Sequence, residues 1–340
     1  MSILNKLRKN TTIKESDILE DSKFFNKKDV ISTTFPAINV ILSGRLDGGF
    51  TPGLTMFAGP SKHFKTAFSL ILAKAYQDKY PDAAILFYDS EFGSPASYFK
   101  MFGVDTSRVI HSPIADVEQL KFDIVNQLKE ITRGDKVMIV IDSIGNLASK
   151  KEIDDALEQK STADMTRAKQ IKSLFRMVTP HLTLKDIPMA VVNHTYKTME
   201  MYSKDVVGGG TGSYYSSDNI YIIGRQQDKD GKELNGYNFV VNAEKSRYVK
   251  EKSKVSINVT FESGINRWSG LLEMAMESGH VIKPKPGWYQ TVDRETGEIS
   301  DKNYREADTN TEEFWSPILA SKSFNDFVIH KYALVGVGAE

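Results

Sequence analysis

A short apolar run followed by a loop that ends in Lys-Thr stands out in the first quarter of this chain. Residues 54–58 have the size and apolarity of a buried strand, residues 59–66 read Gly-Pro-Ser-Lys-His-Phe-Lys-Thr, and a helix-patterned stretch follows. Such a loop can aim backbone N–H groups at phosphates, with a lysine for the outer phosphate oxygens and a hydroxyl for magnesium. We therefore predict a P-loop in which Gly59, Lys65 and Thr66 supply these functions.

The predicted P-loop departs from the usual pattern at one position. Phe64 stands where a second glycine usually precedes the lysine, so the loop taken alone also allows a chance arrangement of Gly and Lys-Thr. We predict that the whole loop contacts the nucleotide, through Gly59, Pro60, Ser61, Lys62, His63, Phe64, Lys65, Thr66 and Ala67.

Three further apolar runs end in polar residues. Residues 84–88 lead into Asp89-Ser90-Glu91, residues 137–141 into Asp142-Ser143, and residues 189–192 into Asn193-His194-Thr195. Runs that are apolar on both faces are typical of buried parallel strands, and apolar residues at helical spacing lie between the first ones. The pattern predicts an α/β fold with a doubly wound, mostly parallel sheet, whose ligands collect at the carboxyl ends of the strands.

Asp142 is the predicted magnesium-binding acid. It follows the apolar run 137–141, as the Walker B aspartate of P-loop nucleotide-binding proteins follows such a run, and would hold the ion together with Thr66. The alternative is a capping aspartate after a strand, which is common. We favour the metal role because the P-loop lies upstream.

Composition limits the classes of protein that fit. The chain has 340 residues, 40% of them hydrophobic, which is enough for one large domain with appendages. No apolar segment approaches a membrane span, the N-terminus lacks an apolar secretion segment, and the absence of Cys excludes disulfides and thiolate metal sites. We therefore expect no membrane partner and a location inside the cell. A formal net charge of zero neither indicates nor excludes nucleic-acid binding.

Short blocks in one order along nearly the whole chain resemble a known family. Besides the P-loop, they are Asp29-Val-Ile-Ser-Thr33, Ile38 to Gly44, Asp89-Ser-Glu-Phe-Gly93, Phe102-Gly-Val-Asp105, Ile139 to Leu147, Asn193-His-Thr195, Gly208 to Gly212, Glu244-Lys-Ser-Arg247, Ser263-Gly-Ile-Asn266 and Pro286-Gly-Trp-Tyr289. They resemble the RecA-family recombinases, most closely the UvsX-type recombinases of T-even bacteriophages, which also carry Phe before the P-loop lysine. The resemblance implies a RecA-like P-loop ATPase core at 31–268, an N-terminal oligomerisation arm at 1–30 and a small α+β C-terminal domain at 269–340.

The resemblance also implies roles at the nucleotide. Glu91 would orient and activate the water that attacks the γ-phosphate, although a strand-end acid can also cap the next segment. Asn193 and His194 match the position that senses the γ-phosphate; many relatives have Gln in place of His194, and a strand-end His can be purely structural. Tyr98 would stack on adenine, and Phe261 would approach it from the adjacent protomer, with a core role as its alternative.

Two cations would act across a subunit interface. In the resembled family the nucleotide lies between protomers of a helical filament, and Lys245 and Arg247 match the pair that reaches the neighbour's γ-phosphate. Their spacing in a strand-like run would place both on one face. They would then neutralise charge in trans, like an arginine finger. A solvated basic edge is the alternative.

Two loops, near 148–165 and 196–212, are the predicted DNA contacts. The first includes a polar stretch and the start of a helix; the second mixes lysines and methionines before a glycine run. A mobile lid over the nucleotide is an alternative for the second loop. The residues that we expect to bind DNA are Arg167, Lys169, Lys172, Lys197, Met201, Lys204, Gly208, Gly209 and Gly210.

Together these features predict an ATP- and Mg²⁺-dependent DNA strand-exchange protein. It would form filaments on single-stranded DNA, pair it with a homologous duplex, and work with a single-strand-binding protein and a loading mediator in the cytoplasm of a bacterial host. A RecA-core hexameric helicase, a non-enzymatic mediator and a P-loop metabolic kinase are the alternatives. Relatives often continue into an acidic tail, so a shortened C-terminus is one interpretation of the sequence that ends at Glu340.

Overall fold

The computed structural model describes residues 2–13, 15–22, 29–159, 165–198 and 205–334. Short 3₁₀ turns occur at Leu19–Asp21, Thr106–Arg108 and Ala307–Thr309. The helices are α1 (Ile3–Asn10), α2 (Pro36–Ser43), α3 (Lys65–Lys79), α4 (Ala96–Met101), α5 (Val117–Glu130), α6 (Lys150–Leu157), α7 (Thr166–Leu184), α8 (Thr211–Ser216), α9 (Leu271–Glu277), α10 (Glu312–Ala320) and α11 (Lys322–Tyr332).

The strands form one large sheet and two small ones. They are β1 (Gly53–Ala58), β2 (Ala84–Asp89), β3 (Val109–Pro113), β4 (Val137–Asp142), β5 (Pro188–Asn193), β6 (Thr195–Lys197), β7 (Asp205–Val207), β8 (Asn219–Asp230), β9 (Glu233–Lys245), β10 (Lys254–Thr260), β11 (Gly264–Ile265), β12 (Val281–Lys285) and β13 (Trp288–Thr291). Within the described residues the large sheet has the order β11-β10-β9-β8-β1-β5-β4-β2-β3. The pairs β6-β7 and β12-β13 form the small sheets.

The part of the sheet from β8 to β3 is parallel, as the apolar runs predicted, and β8 to β11 pair antiparallel. Strands β1 and β5 are buried throughout because helices cover both faces. Strand β3 escaped the sequence analysis, since its run Val109-Ile-His-Ser-Pro113 is mostly exposed and lies at the sheet edge. The doubly wound α/β fold is confirmed.

The helices α3, α5 and α7 supply the apolar layers on the two faces of the sheet. Phe68 and Leu72 of α3 belong to one buried cluster, and Leu120 and Ile124 of α5 belong to the other. The helical spacing read from the sequence therefore corresponds to buried faces of real helices.

One stretch predicted as loop is partly helical. Residues 150–157 form α6, because the Ser149 side chain accepts a hydrogen bond from the Glu152 N–H while the Glu152 carboxylate accepts one from the Ser149 N–H. This capping box satisfies two otherwise unpaired N–H groups at the helix start. The expected loop at 148–165 is therefore wrong for its first half, and residues 160–164 lie outside the described ranges.

The C-terminal region combines helices with a small antiparallel sheet, in agreement with the predicted α+β character. Trp268 and Trp315 are buried and stack with ring centroids 6.3 Å apart, so both belong to the core. Trp288 differs, because it is only half-buried and lies 3.9 Å beneath the Arg305 guanidinium. The proposed boundary between residues 268 and 269 stays a prediction.

The N-terminal helix α1 has no buried residue, and Ile3, Leu4 and Leu7 expose more than half of their surface. Residues 23–28 of the predicted N-terminal arm lie outside the described residues. Across the described ranges, none of the helices has the length and apolarity that crossing a membrane requires.

Candidate functional site

The P-loop leaves the sheet at the edge where several polar side chains meet. Residues 59–64 connect β1 to α3, and Ala58 at the end of β1 pairs with Asn193 at the end of β5. A Cβ atom at Gly59 would lie 2.9 Å from the Ile223 carbonyl oxygen, so the loop can pass this point only as glycine. Since the strands are parallel, their carboxyl ends present Asp142 and Asn193 to the same edge.

Lys65 begins α3 and is buried beneath the loop. Its Nζ donates a hydrogen bond to the Pro60 carbonyl oxygen at 2.8 Å. Burial lowers the pKa of Lys65, whereas the nearby carboxylates of Glu91 and Asp142 act in the opposite direction. An ammonium group that is poorly hydrated and enclosed by loop backbone is well placed to bind phosphate oxygens.

Thr66 and Asp142 form the candidate metal site. The Thr66 hydroxyl donates to Asp142 Oδ2 at 2.7 Å, and Oδ1 of the same carboxylate is buried without a hydrogen-bond partner in the described structure. Burial raises the pKa of Asp142 to about 6, despite the hydrogen bond from Thr66. An orphaned carboxylate oxygen beside a hydroxyl fits a divalent cation, and these contacts do not support the capping alternative.

No group of three or more His, Cys, Asp or Glu side chains is arranged to hold a metal in the part of the chain that the structure describes. A magnesium ion at this site would therefore keep water ligands and take phosphate oxygens besides Thr66 and Asp142. Such a donor set is ordinary for Mg²⁺ bound with a nucleotide.

Glu91 is held by three side-chain donors that converge on one oxygen. Its Oε1 accepts hydrogen bonds from Ser143 Oγ at 2.7 Å, His194 Nε2 at 2.8 Å and Asn146 Nδ2 at 3.2 Å. The bond from His194, followed by the bond from Ser143, lowers the pKa of Glu91 to about 2, although burial acts in the opposite direction. Within the described residues the carboxylate accepts these side-chain hydrogen bonds rather than N–H groups at a helix start, which does not support a capping role for Glu91.

Asp89 fixes the turn that carries Glu91. Its Oδ1 accepts the backbone N–H groups of Glu91 at 3.0 Å and of Phe92 at 2.7 Å, and its Oδ2 lies 3.1 Å from His111 Nε2. Ser143 and Asn146 are contacts that the sequence analysis missed. Ser143 directly follows Asp142, so its place next to the predicted acid was the available signal.

The residues at the end of β5 connect Glu91 to the glycine run. The Gly208 N–H donates to the His194 carbonyl oxygen, and Asn193 Nδ2 donates to the Gly208 carbonyl oxygen, each at 2.9 Å. Gly209 and Gly210 have φ values of 84° and 77°, which favour glycine, and Gly210 starts α8. The glycine run is therefore held against β5. His194 contacts Glu91 through its ring and Gly208 through its carbonyl oxygen.

Phe64 occupies a conformation that is unusual for a bulky side chain. Its φ of 61° lies in the left-handed region, at a cost of roughly 1–2 kcal/mol for a residue with a Cβ atom. Its ring stacks on Phe239 at 4.7 Å and meets Phe68 and Phe102 edge-on. Aromatic pairs contribute about 0.5–1.5 kcal/mol each, so the packing of the ring can offset the strain that glycine would avoid.

Tyr98 and Phe261 line one cavity of about 640 Å³ in the same chain. Phe261 is 67% exposed, so the core role weighed for it is wrong. The resemblance implied that Phe261 approaches from the adjacent protomer, but the structure already places it across the cavity from within one chain, because β10 and β11 border the same opening as α4.

Lys245 and Arg247 lie at the opposite end of the sheet from their own P-loop. Lys245 Nζ donates to the Ser217 carbonyl oxygen at 2.7 Å, and Arg247 Nε lies 2.6 Å from Asp218 Oδ1. Asp218 Oδ2 also accepts the N–H of Leu54, at the amino end of β1. The six residues of β1 span about 20 Å, so neither cation reaches the P-loop of its own chain. Arg247 lies beyond the end of β9, which corrects the expectation that both share one strand face.

The first predicted DNA loop holds Arg167 by backbone contacts. The Arg167 guanidinium donates to the carbonyl oxygens of Leu147 and Gly145, both at 2.6 Å. Lys169 and Lys172 are exposed on α7. The structure thus gives Arg167 a bracing contact that the sequence did not indicate, and its DNA role stays a prediction.

The second predicted DNA loop is only partly described. Lys197 pairs with Asp205 across the β6-β7 sheet, with Nζ 3.1 Å from Oδ1. The predicted contacts Met201 and Lys204 lie outside the described residues. The DNA roles of these residues also stay predictions.

The site combines the features of the P-loop nucleoside triphosphatases. These are a glycine-led phosphate loop with a lysine at the start of the following helix, and an acid and a positioned glutamate at the carboxyl edge of parallel strands. The family model described as the RecA N-terminal domain matches residues 7–266, and that of the C-terminal domain of the bacteriophage T4 recombination and repair protein matches residues 268–328. The chain therefore belongs to the RecA family.

Relatives agree with this assignment. The chain is 53% identical to the "Recombination and repair protein" of Enterobacteria phage T4 over 97% of its own length and 85% of that protein. It is 26% identical to "Protein RecA" of Streptomyces rimosus, over 77% of the chain and 68% of that relative. A further RecA, from Bacteroides thetaiotaomicron, is 26% identical over 80% of the chain and 81% of its own length.

Proposed function

We propose that this chain is an ATP-dependent DNA strand-exchange recombinase, which polymerises on single-stranded DNA and pairs it with a homologous duplex. Membership of the RecA family and the similarity to a phage recombination and repair protein support a recombinase role over the helicase alternative. The same similarity supports nucleotide binding, DNA-dependent ATPase activity in general and filament formation.

The observation that carries the proposal is the contact chain from Glu91 to the glycine run. Glu91 bonds to the His194 ring, and the His194 carbonyl oxygen accepts the N–H of Gly208, the first residue of the glycine run near the end of the second predicted DNA loop. A ligand that moves the His194 ring would therefore act on both the hydrolytic residue and the DNA-binding segment. A P-loop enzyme with a small acceptor substrate has no need of such a link.

In the proposed reaction Lys65 and the P-loop N–H groups bind the phosphates, while Thr66 and Asp142 hold magnesium, which would neutralise phosphate charge. Glu91 accepts three hydrogen bonds on Oε1, so Oε2 remains for the attacking water. With a pKa of about 2, Glu91 is ionised at neutral pH and orients this water more than it removes its proton.

Lys245 and Arg247 would complete the site in trans. Because they are about a strand length away from their own P-loop, they can serve only the nucleotide of a neighbouring copy. Hydrolysis would then depend on assembly, since an isolated chain lacks the cations that stabilise the transferring phosphoryl group.

We also propose the finer assignments made from the sequence. The DNA contacts are those of the two loops, the partners are a single-strand-binding protein and a loading mediator, and the protein acts in the cytoplasm of a bacterial host. The similarity to a phage protein supports the host assignment.

The experiment is joint-molecule formation with purified protein, ATP, magnesium and a single strand, offered either a homologous or an unrelated supercoiled duplex. We expect pairing with the homologous duplex alone. Glu91→Gln should bind ATP and single-stranded DNA and form filaments but not hydrolyse ATP, since the amide lacks the ionised oxygen. ATP hydrolysis on single-stranded DNA without pairing of either duplex would contradict the recombinase assignment.

A further inference from the structure

Phe64 lies between the phosphate loop and a cavity. Its backbone precedes Lys65 in the P-loop, while its ring forms part of the wall of the cavity of about 640 Å³. Tyr98, Phe102 and Phe261 line the same space. Phe239, on which the ring of Phe64 stacks, does not line it, so the Phe64 ring separates Phe239 from the cavity.

The size and lining of the cavity suit a planar aromatic ligand. Its volume is in the range of sites for small molecules and cofactors. Five aromatic side chains line it, Phe35 being the fifth, together with apolar groups such as Ile71 and Ile265 and polar groups that include Lys74 and Asp78. The bases of nucleotides stack on such rings, and the stacking free energy increases with the area of the base.

The ring is fixed from behind by the β8-β9 hairpin. Phe239 and Tyr237 are alternate residues of β9 with ring centroids 6.1 Å apart, and Tyr237 meets Phe261 at 5.9 Å. The Arg225 guanidinium lies 4.7 Å over Tyr237 and donates to the Lys62 carbonyl oxygen at 3.3 Å. The loop is thus held by a ring stack and by a backbone hydrogen bond, so Phe64 has little freedom to leave the cavity wall.

We propose that Phe64 is a specificity-determining residue, whose ring contacts the purine base of the nucleotide while the backbone of the same loop binds the phosphates. This inference rests on the nucleotide binding proposed above. A glycine at this position would leave base recognition to Tyr98 and Phe261. With Phe64 in place, the phosphate loop itself contacts the base. A purine then gains more stacking free energy than a smaller pyrimidine does.

The test is equilibrium binding by titration calorimetry with the full chain, in magnesium and without DNA. The probes are ATP, CTP and inorganic tripolyphosphate, and the variants are Phe64→Leu, which removes the ring, and Phe64→Tyr, which keeps it. For Phe64→Leu we expect the Kd for ATP to rise about tenfold, that for CTP about threefold, and that for tripolyphosphate less than twofold. Phe64→Tyr should restore ATP binding to within about twofold of the unaltered chain.

A matched control is Phe239→Leu, which removes the stacking partner without altering the cavity wall. We expect it to weaken ATP binding less than Phe64→Leu does, with the same lack of effect on tripolyphosphate. Circular dichroism and thermal melting report whether each variant is folded. If Phe64→Leu does not fold, Phe64→Gly takes its place, because glycine adopts the φ of 61° without strain and also lacks the ring.

Three results would overturn the inference. Equal weakening of ATP, CTP and tripolyphosphate by Phe64→Leu would mean that the ring acts only on the shape of the loop. Unchanged ATP binding, or an unchanged ratio of the Kd values for ATP and tripolyphosphate, in a folded variant that lacks the ring would mean that the ring does not contact the base. Failure of the unaltered chain to bind either ATP or tripolyphosphate would reject the proposed nucleotide function itself. The variants test only the role of Phe64.

Discussion

Replacing Asp142 with asparagine should stabilise the protein when magnesium and nucleotide are absent. Asp142 is 2% exposed, and its Oδ1 has no hydrogen-bond partner among the described residues. A buried carboxylate without a cation is costly in its charged form. Asparagine has nearly the same shape, is neutral, and can still accept the hydrogen bond from Thr66.

The magnitude follows from the pKa. Burial raises the pKa of Asp142 from 3.8 to about 6, and each pKa unit corresponds to about 1.4 kcal/mol. Since the folded pKa is the higher one, the unfolded chain loses its proton first, and the free energy of unfolding falls as the pH rises from about 4 to about 6. Above about pH 6 the loss is complete and amounts to about 3 kcal/mol.

The assay is denaturant unfolding of the unaltered chain and Asp142→Asn, in chelator, at several pH values. We expect the variant to be more stable by up to about 3 kcal/mol at pH 7.5, with the difference vanishing near pH 4. Glu91→Gln is the control of opposite sign, because the pKa of Glu91 is lowered to about 2 and its charge stabilises the fold above about pH 4.5. A variant that is no more stable at pH 7.5, or a difference that does not change with pH, would refute the reasoning.

Four other variants, used in three experiments, test the site and its surroundings. Ser143→Ala should lower kcat for ATP hydrolysis about tenfold with ATP affinity unchanged, because Glu91 loses a donor on Oε1; an equal change in affinity would contradict a positioning role. Lys65→Ala and Arg247→Ala should each be inactive in ATP hydrolysis yet regain activity when mixed, since each supplies the half-site that the other lacks; mixtures as inactive as the single variants would argue against action in trans. Arg167→Ala should weaken single-stranded DNA binding, measured by fluorescence anisotropy. A lowered melting temperature with unchanged DNA affinity would mean that Arg167 only stabilises the fold, through its contacts to Leu147 and Gly145.

The strands that carry the site were predictable because their signal is local. The apolar runs 84–88 and 137–141 became β2 and β4 with one residue added to each. Burial on both faces by helices forces such runs to be apolar throughout, so the pattern survives in the sequence. The edge strand β3 lacks this constraint and was missed. Helix α6 was missed because its start depends on the reciprocal hydrogen bonds between Ser149 and Glu152, which the polar composition of this stretch does not reveal.

The nucleotide-binding character of this chain is already contained in its sequence. Lys65 and Thr66 follow one strand after a short loop, and Asp142 ends another, so a parallel sheet must bring them to one edge. Contacts between residues far apart in the chain carry no such local signal. The three donors on Glu91, the stack of Phe64 on Phe239, and the separation of Arg247 from its own P-loop depend on strand order and register, which arise only when the whole sheet is assembled.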